Sequence, residues 1–291
     1  MANYFALINP HIFIRYLGYK GVLMLHPELD KTTTKLAQFR KSMKKFNATI
    51  DNTFSVVGYS RPYSFGRLNN DIIVLISSLG VSNERLLAKQ EEYFQWISNA
   101  SKDPTKAVDF LSCLDLYPLA EKVLLNGLDD PDVMKEIRRL QSSEVSKSRD
   151  ERTGKYKSRM MIHKSRRLFG VCDPFQVLKE GEVHIRITAS RKGPSTPIHG
   201  DVIIVRNPCL HPGERAKCQV NVLFVDNNIG DCLKLRAVNH PKLSHLVDCL
   251  VFASVARPGH KAAPSMSSGG DLDGNIDIES SWNMVLVNFL S

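Results

Sequence analysis

The chain has 291 residues, 43% of them hydrophobic and 24% charged, the balance of a soluble globular protein with room for one large or two ordinary domains. Its longest apolar run, Ile72-Ile73-Val74-Leu75-Ile76, is far short of the roughly 18 residues of a membrane span, and Met1-Ala2-Asn3-Tyr4-Phe5 lacks the basic start of a secretory signal. The net charge of +9 points instead to an acidic partner.

Residues 12–25 and 53–60 carry β-branched and aromatic residues between Gly and Pro and are expected to form strands. The run at 72–76 has the length of a strand or of a buried helix segment. From Ser82, a suitable N-cap, the pattern turns helical, with Leu86, Leu87, Phe94 and Ile97 near one face. A second helix is expected over 116–126, and a third begins at Asp130 and Pro131, with Val133, Met134, Ile137 and Leu140 as its apolar stripe. Further on, Val183, Ile185 and Ile187 alternate with polar residues, and Val202-Ile203-Ile204-Val205 and Leu250-Val251-Phe252 read as short buried strands. Strands, then helices, then strands predict an α+β architecture.

Between Lys147 and Arg167 stand Lys147, Arg149, Arg152, Lys155, Lys157, Arg159, Lys164, Arg166 and Arg167 against only Asp150 and Glu151. Such a stripe suits a nucleic-acid backbone, and it equally suits a solvated linker or a localisation signal. The six cysteines, at 113, 172, 209, 218, 232 and 249, form no Cys-x-x-Cys pair. Neither a zinc knuckle nor a disulfide framework is expected, and the nine histidines are expected to form no ligand cluster.

Near the C-terminus, Ser268-Gly269-Gly270-Asp271-Leu272-Asp273-Gly274-Asn275 places two carboxylates two residues apart in a glycine-rich turn. Glycines allow a tight bend and close approach to a phosphate, and carboxylates are the ligands Mg²⁺ prefers. An EF-hand is excluded, because its sixth and twelfth positions, counted from Asp271, are Ile276 and Trp282 rather than Gly and Glu. On its own an Asp-x-Asp-Gly segment most often marks a plain solvated turn.

Its company changes that reading. Upstream lie Arg206-Asn207-Pro208-Cys209-Leu210-His211-Pro212-Gly213-Glu214, then Pro241-Lys242-Leu243-Ser244-His245-Leu246-Val247-Asp248-Cys249-Leu250-Val251-Phe252, then Arg257-Pro258 and Pro264. Earlier segments include Gly18-Tyr19-Lys20-Gly21-Val22, Arg40-Lys41-Ser42-Met43-Lys44-Lys45-Phe46, Arg167-Leu168-Phe169-Gly170-Val171-Cys172-Asp173-Pro174 and Gly181-Glu182-Val183-His184-Ile185-Arg186. In this order they resemble the cell-encoded RNA-dependent RNA polymerases of eukaryotic RNA silencing, most closely the fungal ones. The resemblance covers nearly the whole chain.

The resemblance implies a partial double-psi β-barrel polymerase core: 1–80 as the end of a first barrel region, 81–157 as a helical connector with a basic linker, and 158–291 as a second barrel. It implies nucleotidyl transfer from nucleoside triphosphates to an RNA 3′-hydroxyl on a single-stranded RNA template, with silencing-pathway proteins as further partners and no membrane. Asp271, Asp273 and Asn275 would be the catalytic and metal-binding residues, holding Mg²⁺ or Mn²⁺. Arg40 and Lys45 would contact triphosphate or template, and Lys155, Lys157, Arg159, Lys164, Arg166 and Arg167 would contact nucleic acid. His211 and Arg206 match motif positions without an implied chemical step. A cytoplasmic or nuclear location is expected.

Departures from the family pattern weigh against activity. Asn275 stands where the family has a third aspartate, Met266 replaces a glutamate, and Asn70-Asp71 replaces an Arg-Gln pair. Residues 215–232 have no counterpart and read as translated intron or surface insertion. Family members are also far longer, so the chain is expected to be a fragment whose catalytic site is incomplete, and a non-catalytic RNA-binding role is the alternative.

Overall fold

The computed structural model describes residues 11–27, 37–48, 53–60, 64–148, 157–188, 194–206, 232–256, 258, 263 and 282–287, the side chains of 42, 206 and 282–287 excepted. Contacts divide the chain into a unit made of Met1–Ser64 with Lys164–Ser291 and a unit made of Phe65–His163. The β-rich ends thus close on each other, and the boundaries by contact fall at 64 and 163.

The first unit opens with a hairpin of β1 (His11–Tyr16) and β2 (Tyr19–Met24), joined through Leu17 and Gly18, and β3 (Ser55–Tyr59) adds to the other edge of β1. These are the strands expected at 12–25 and 53–60. A short 3-10 turn, Lys41–Met43, lies against β2.

The helical unit begins and ends with a two-stranded ribbon, β4 (Gly66–Leu68) against β5 (Met160–Ile162). Between them run α1 (Asn70–Ser78), α2 (Asn83–Asn99), α3 (Pro104–Cys113), α4 (Tyr117–Asn126) and α5 (Pro131–Ser146). Four of the five starts are capped by a side chain: Asn69 accepts from the Ile72 amide at 2.8 Å, Ser82 from Arg85 at 3.4 Å, Asp103 from Lys106 at 2.9 Å, and Asp130 from Asp132 and Val133 at 2.9 and 3.2 Å. Each such cap is worth about 1 kcal/mol.

Helices therefore start at Asn70, not at Ser82. The 72–76 run is helical because Ile72, Leu75 and Ile76 fall on one buried face at i, i+3, i+4 while Val74 is 68% exposed. In α2 the buried residues are Leu86, Tyr93 and Ile97, and Leu87 is 63% exposed. Leu87 was expected on the buried face, but it sits one residue, about 100°, off that face. Asn70, one of the departures from the family pattern, accepts a hydrogen bond from the Ser158 amide at 2.6 Å and ties α1 to the segment before β5. No helix among the described residues is long and apolar enough to cross a membrane.

The chain then enters a seven-stranded sheet of β6 (Ser165–Cys172), β7 (Glu182–Thr188), β8 (Ser195–Pro197), β9 (Gly200–Arg206), β10 (Cys232–Ala237), β11 (Cys249–Phe252) and β12 (Trp282–Val287). The order is β10-β9-β12-β6-β11-β7-β8, and β10 also pairs with β7 through Arg236 opposite Glu182 and Ala237 opposite Val183. That pairing joins six strands into a ring. Alternation sorts the side chains: Leu168, Val183, Ile185, Val202, Ile204, Leu233, Leu235, Leu250 and Phe252 form one buried cluster. The opposite parity, Phe169, Val171, Cys249 and Val251, forms a second with Phe13 and Val22 of the hairpin. Mixed helix and sheet content agrees with the expected α+β class. Of the 215–232 segment only Cys232, the first residue of β10, lies among the described residues.

Candidate functional site

The register of the ring fixes where its connections spring from. Phe252 at the end of β11 lies opposite Cys172, the last residue of β6, and Trp282 at the start of β12 lies opposite Phe169. Arg206 at the end of β9 lies opposite Asn283, and Cys232 at the start of β10 opposite Val205. The connections 207–231 and 253–281 therefore both leave and re-enter at one end of the ring. The ends that the second connection joins, Phe252 on β11 and Trp282 on β12, lie on either side of β6, two strand spacings or roughly 10 Å apart across the sheet. Asp271, Asp273 and Asn275, with His211 of the other motif, belong to these connections and lie outside the described residues, as does Lys155.

Below that end the backbone is held firmly. The Asp173 amide donates to the Phe252 carbonyl at 2.8 Å, and its carboxylate, 2% exposed, accepts from the amides of Phe175, Val177 and Leu178 at 2.9, 2.6 and 2.8 Å. Asp173→Ala would orphan three amides, and a loss of about 2–4 kcal/mol is expected. A urea denaturation curve would show it as a lowered midpoint, with Asp173→Asn recovering part of the loss.

The motif ending in β11 is structural in the same way. Leu243 and Leu246 are fully buried in the outer cluster. Asp248 takes a left-handed backbone, φ +56°, and accepts from the Thr188 amide at 2.8 Å and the Thr188 hydroxyl at 2.5 Å, clamping the end of β7. Burial pushes the Cys249 thiol far up, so it is a packing residue rather than a nucleophile.

Arg40 and Lys45 flank the 3-10 turn, both exposed. Two glycines let this segment sit on the hairpin. The Lys45 amide donates to the Gly18 carbonyl at 2.9 Å. A Cβ on Gly18, whose φ is +79°, would stand 2.1 Å from the Phe46 carbonyl oxygen. At Gly21 the obstacle is only the flexible end of Met43, 2.7 Å away. Gly18→Ala should therefore cost more than Gly21→Ala, about 2–4 kcal/mol against 1–2, since backbone must move in the first case and a methionine in the second. Chemical denaturation of the two variants side by side checks the order.

Sequence reasoning missed the aromatic residues gathered beside this segment. Tyr16 stacks on Phe39 with centroids 5.9 Å apart, Phe39 meets Tyr19 at 5.1 Å, and Phe54 meets Tyr16 at 5.8 Å. Lys44 Nζ lies over Tyr19 at 5.8 Å, and Phe46 and Phe54 are 64% and 46% exposed. Rings from three chain segments and the Lys44 ammonium thus stand together, an arrangement able to stack bases and neutralise a phosphate.

The basic stripe is not one continuous element. Lys157 and Arg159 are exposed in the segment before β5, and Lys164 is exposed in the turn before β6. Arg166 and Arg167 lie inside β6, half-buried; the Arg167 amide donates to the Ser64 carbonyl at 2.8 Å. Cys172 lies six strand positions beyond Arg166 and five beyond Arg167, so these two arginines stand roughly 17–20 Å from the end of the ring where the acidic connection starts.

The RNA dependent RNA polymerase family model matches residues 9–278, a span that includes every motif described above. The chain belongs to the RNA-dependent RNA polymerase family. A probable RNA-dependent RNA polymerase 1 of Oryza sativa subsp. japonica is 35% identical over 282 residues, covering 94% of this polymerase-family chain and 34% of the relative. RNA-dependent RNA polymerase 1 of Schizosaccharomyces pombe is 28% identical, with 89% and 21% covered. Among solved structures, RNA dependent RNA polymerase QDE-1 from Thielavia terrestris superposes with a TM-score of 0.63 at 18% identity, over 96% of this chain and 31% of that one, and so shares the fold. The polymerase-family chain spans about a third or less of the length of these relatives.

Proposed function

We propose that this chain is catalytic-region sequence of an RNA-directed RNA polymerase of RNA silencing, and that its six-stranded ring is a double-psi β-barrel bearing the acidic loop. The observation that carries this reading is the family match over residues 9–278, a span that takes in both motif connections, together with a register in which the strands flanking those connections end at one end of the ring.

The donor set suits a hard divalent ion: two carboxylates and an amide carbonyl, with glycines on both sides and no soft ligand. Asp271 and Asp273 would hold Mg²⁺ or Mn²⁺ and Asn275 would complete the set; when bound, the ion supplies charge neutralisation at the reacting phosphate and a more acidic attacking hydroxyl. The remaining work is placement. Arg40 and Lys45 neutralise triphosphate or template phosphates, and Tyr16, Tyr19, Phe39 and Phe54 offer faces on which single-stranded RNA bases stack. Lys157, Arg159 and Lys164, exposed cations of the stripe, track the RNA backbone.

Two measurements on the 291-residue chain test the proposal. One is Mg²⁺-dependent incorporation of labelled nucleoside triphosphate on a single-stranded RNA template. The other is RNA affinity as a function of salt, expected to fall steeply on a log–log plot because each neutralised phosphate releases counterions. Salt-dependent binding with no incorporation would favour the second reading, a non-catalytic RNA-binding role, which Asn275 supports by leaving the loop one carboxylate short. Neither binding nor incorporation would sink both.

A further inference from the structure

The helical unit brings together three metal-ligating side chains that the polymerase reading does not use. Asp109 and Cys113 stand four residues apart on α3, hence on one helical face, and His163 reaches them from the turn after β5. One ligand atom from each lies within 4.8 Å of the other two. Cys113 and His163 are 50 residues apart in sequence, which is why spacing alone shows no such group.

We propose that Asp109, Cys113 and His163 bind a single Zn²⁺ ion, with solvent in the fourth position, and that this ion fastens α3 to the end of β5. A thiolate, an imidazole and a carboxylate are a ligand set for a borderline divalent ion and not for Mg²⁺, which takes oxygen ligands. Tetrahedral bonds of about 2.0–2.3 Å put ligand atoms about 3.3–3.8 Å apart, so side-chain rotation closes the observed triangle. The ligands are already oriented. The Trp96 indole N–H donates to Asp109 Oδ2 at 2.7 Å and leaves the other carboxylate oxygen for the ion, the outer contact that metal-binding carboxylates need. The His163 ring is wedged edge-on between Trp96 at 5.0 Å and Phe65 at 6.0 Å. Asp109 and His163 are exposed, so an ion enters without unfolding the unit. Cys113 gives up its thiol proton to solvent on binding, and the two anionic ligands balance the charge of the ion.

The test is a Co²⁺ titration of the reduced full chain. The expected result is one Co²⁺ per chain with a thiolate-to-metal charge-transfer band, displaced by Zn²⁺ and unaffected by excess Mg²⁺. Cys113→Ser should abolish the band, and His163→Ala and Asp109→Asn should each weaken binding by at least about tenfold. Trp96→Phe, which keeps the ring packing and removes only the N–H, should weaken binding about 10–100-fold. The absence of a band in the parent chain would overturn the proposal, as would a band that survives Cys113→Ser or an affinity unmoved by Asp109→Asn in a variant with parental circular dichroism. The inference does not rest on the polymerase reading: an all-oxygen Mg²⁺ site gives no thiolate band, so each can fail without the other.

Discussion

Asp273→Ala is expected to lower template-directed, Mg²⁺-dependent incorporation by on the order of 10²–10³-fold, and Asn275→Asp to raise it. Asp273 would be one of only two carboxylates in the loop, and its loss removes a full negative charge from the donor set at the point where transition-state charge must be neutralised. Asn275 would already supply a carbonyl oxygen, so the reverse change adds charge without altering shape. Hard-cation affinity rises with ligand charge, and the Mg²⁺ concentration for half-maximal incorporation should fall by about tenfold in Asn275→Asp. Incorporation rates measured across a Mg²⁺ titration separate the two effects. Equal activity in parent and Asp273→Ala would remove this loop from the chemistry. RNA affinity should not weaken in either variant, since neither position contributes a cation.

The second large effect lies in the helical unit. Glu144, near the end of α5, has a side chain only 1% exposed and accepts from Arg67 at 2.9 Å, from Tyr93 at 3.1 Å and from Lys147. One buried carboxylate thus joins β4, α2 and α5. Removing it leaves the Arg67 guanidinium, 22% exposed, and the buried Tyr93 hydroxyl without that partner. Glu144→Ala is expected to destabilise the helical unit by about 3 kcal/mol, the low end for a broken buried pair because Lys147, 42% exposed, can rehydrate. Hydrogen exchange of α2 and α5 amides, or denaturation followed by Trp96 fluorescence, would register the loss.

The same group sets a pH dependence. Burial pushes the Glu144 pKa up, but the Lys147 hydrogen bond and the charge and hydrogen bond of Arg67 outweigh it, and the net position is below the ordinary 4.5. A carboxylate depressed on folding contributes stability that is present in full above its unfolded value and is lost as pH falls through the folded one. Stability of the helical unit should therefore drop below about pH 4.5, and that drop should flatten in Glu144→Gln. Burial, with the Glu144 charge beside it, also raises the Tyr93 pKa to about 12, so the hydroxyl stays a donor throughout this range.

Sequence alone determined the family, the strand–helix–strand order and three helix starts, and it supplies the acidic loop proposed as a hard-metal ligand set. It could do so because these are local properties. A cap acts within three residues, as Ser82 and Asp130 show, and the carboxylates of the proposed metal loop, Asp271 and Asp273, stand two positions apart. The 72–76 run stayed ambiguous because five apolar residues fit either period; the Asn69 cap and the burial of Ile72, Leu75 and Ile76 decided for helix. What only tertiary structure decided depends on pairing distant segments. The ring register carries the connections after Arg206 and Phe252 to one end of the sheet, while Arg166 and Arg167, contiguous with the basic stripe in sequence, fall towards the other. The aromatic surface of Tyr16, Tyr19, Phe39 and Phe54, the Glu144 network and the Asp109, Cys113 and His163 group likewise join residues tens of positions apart. No periodicity or spacing encodes such neighbours; they meet only because burial of the two cores closes the intervening loops.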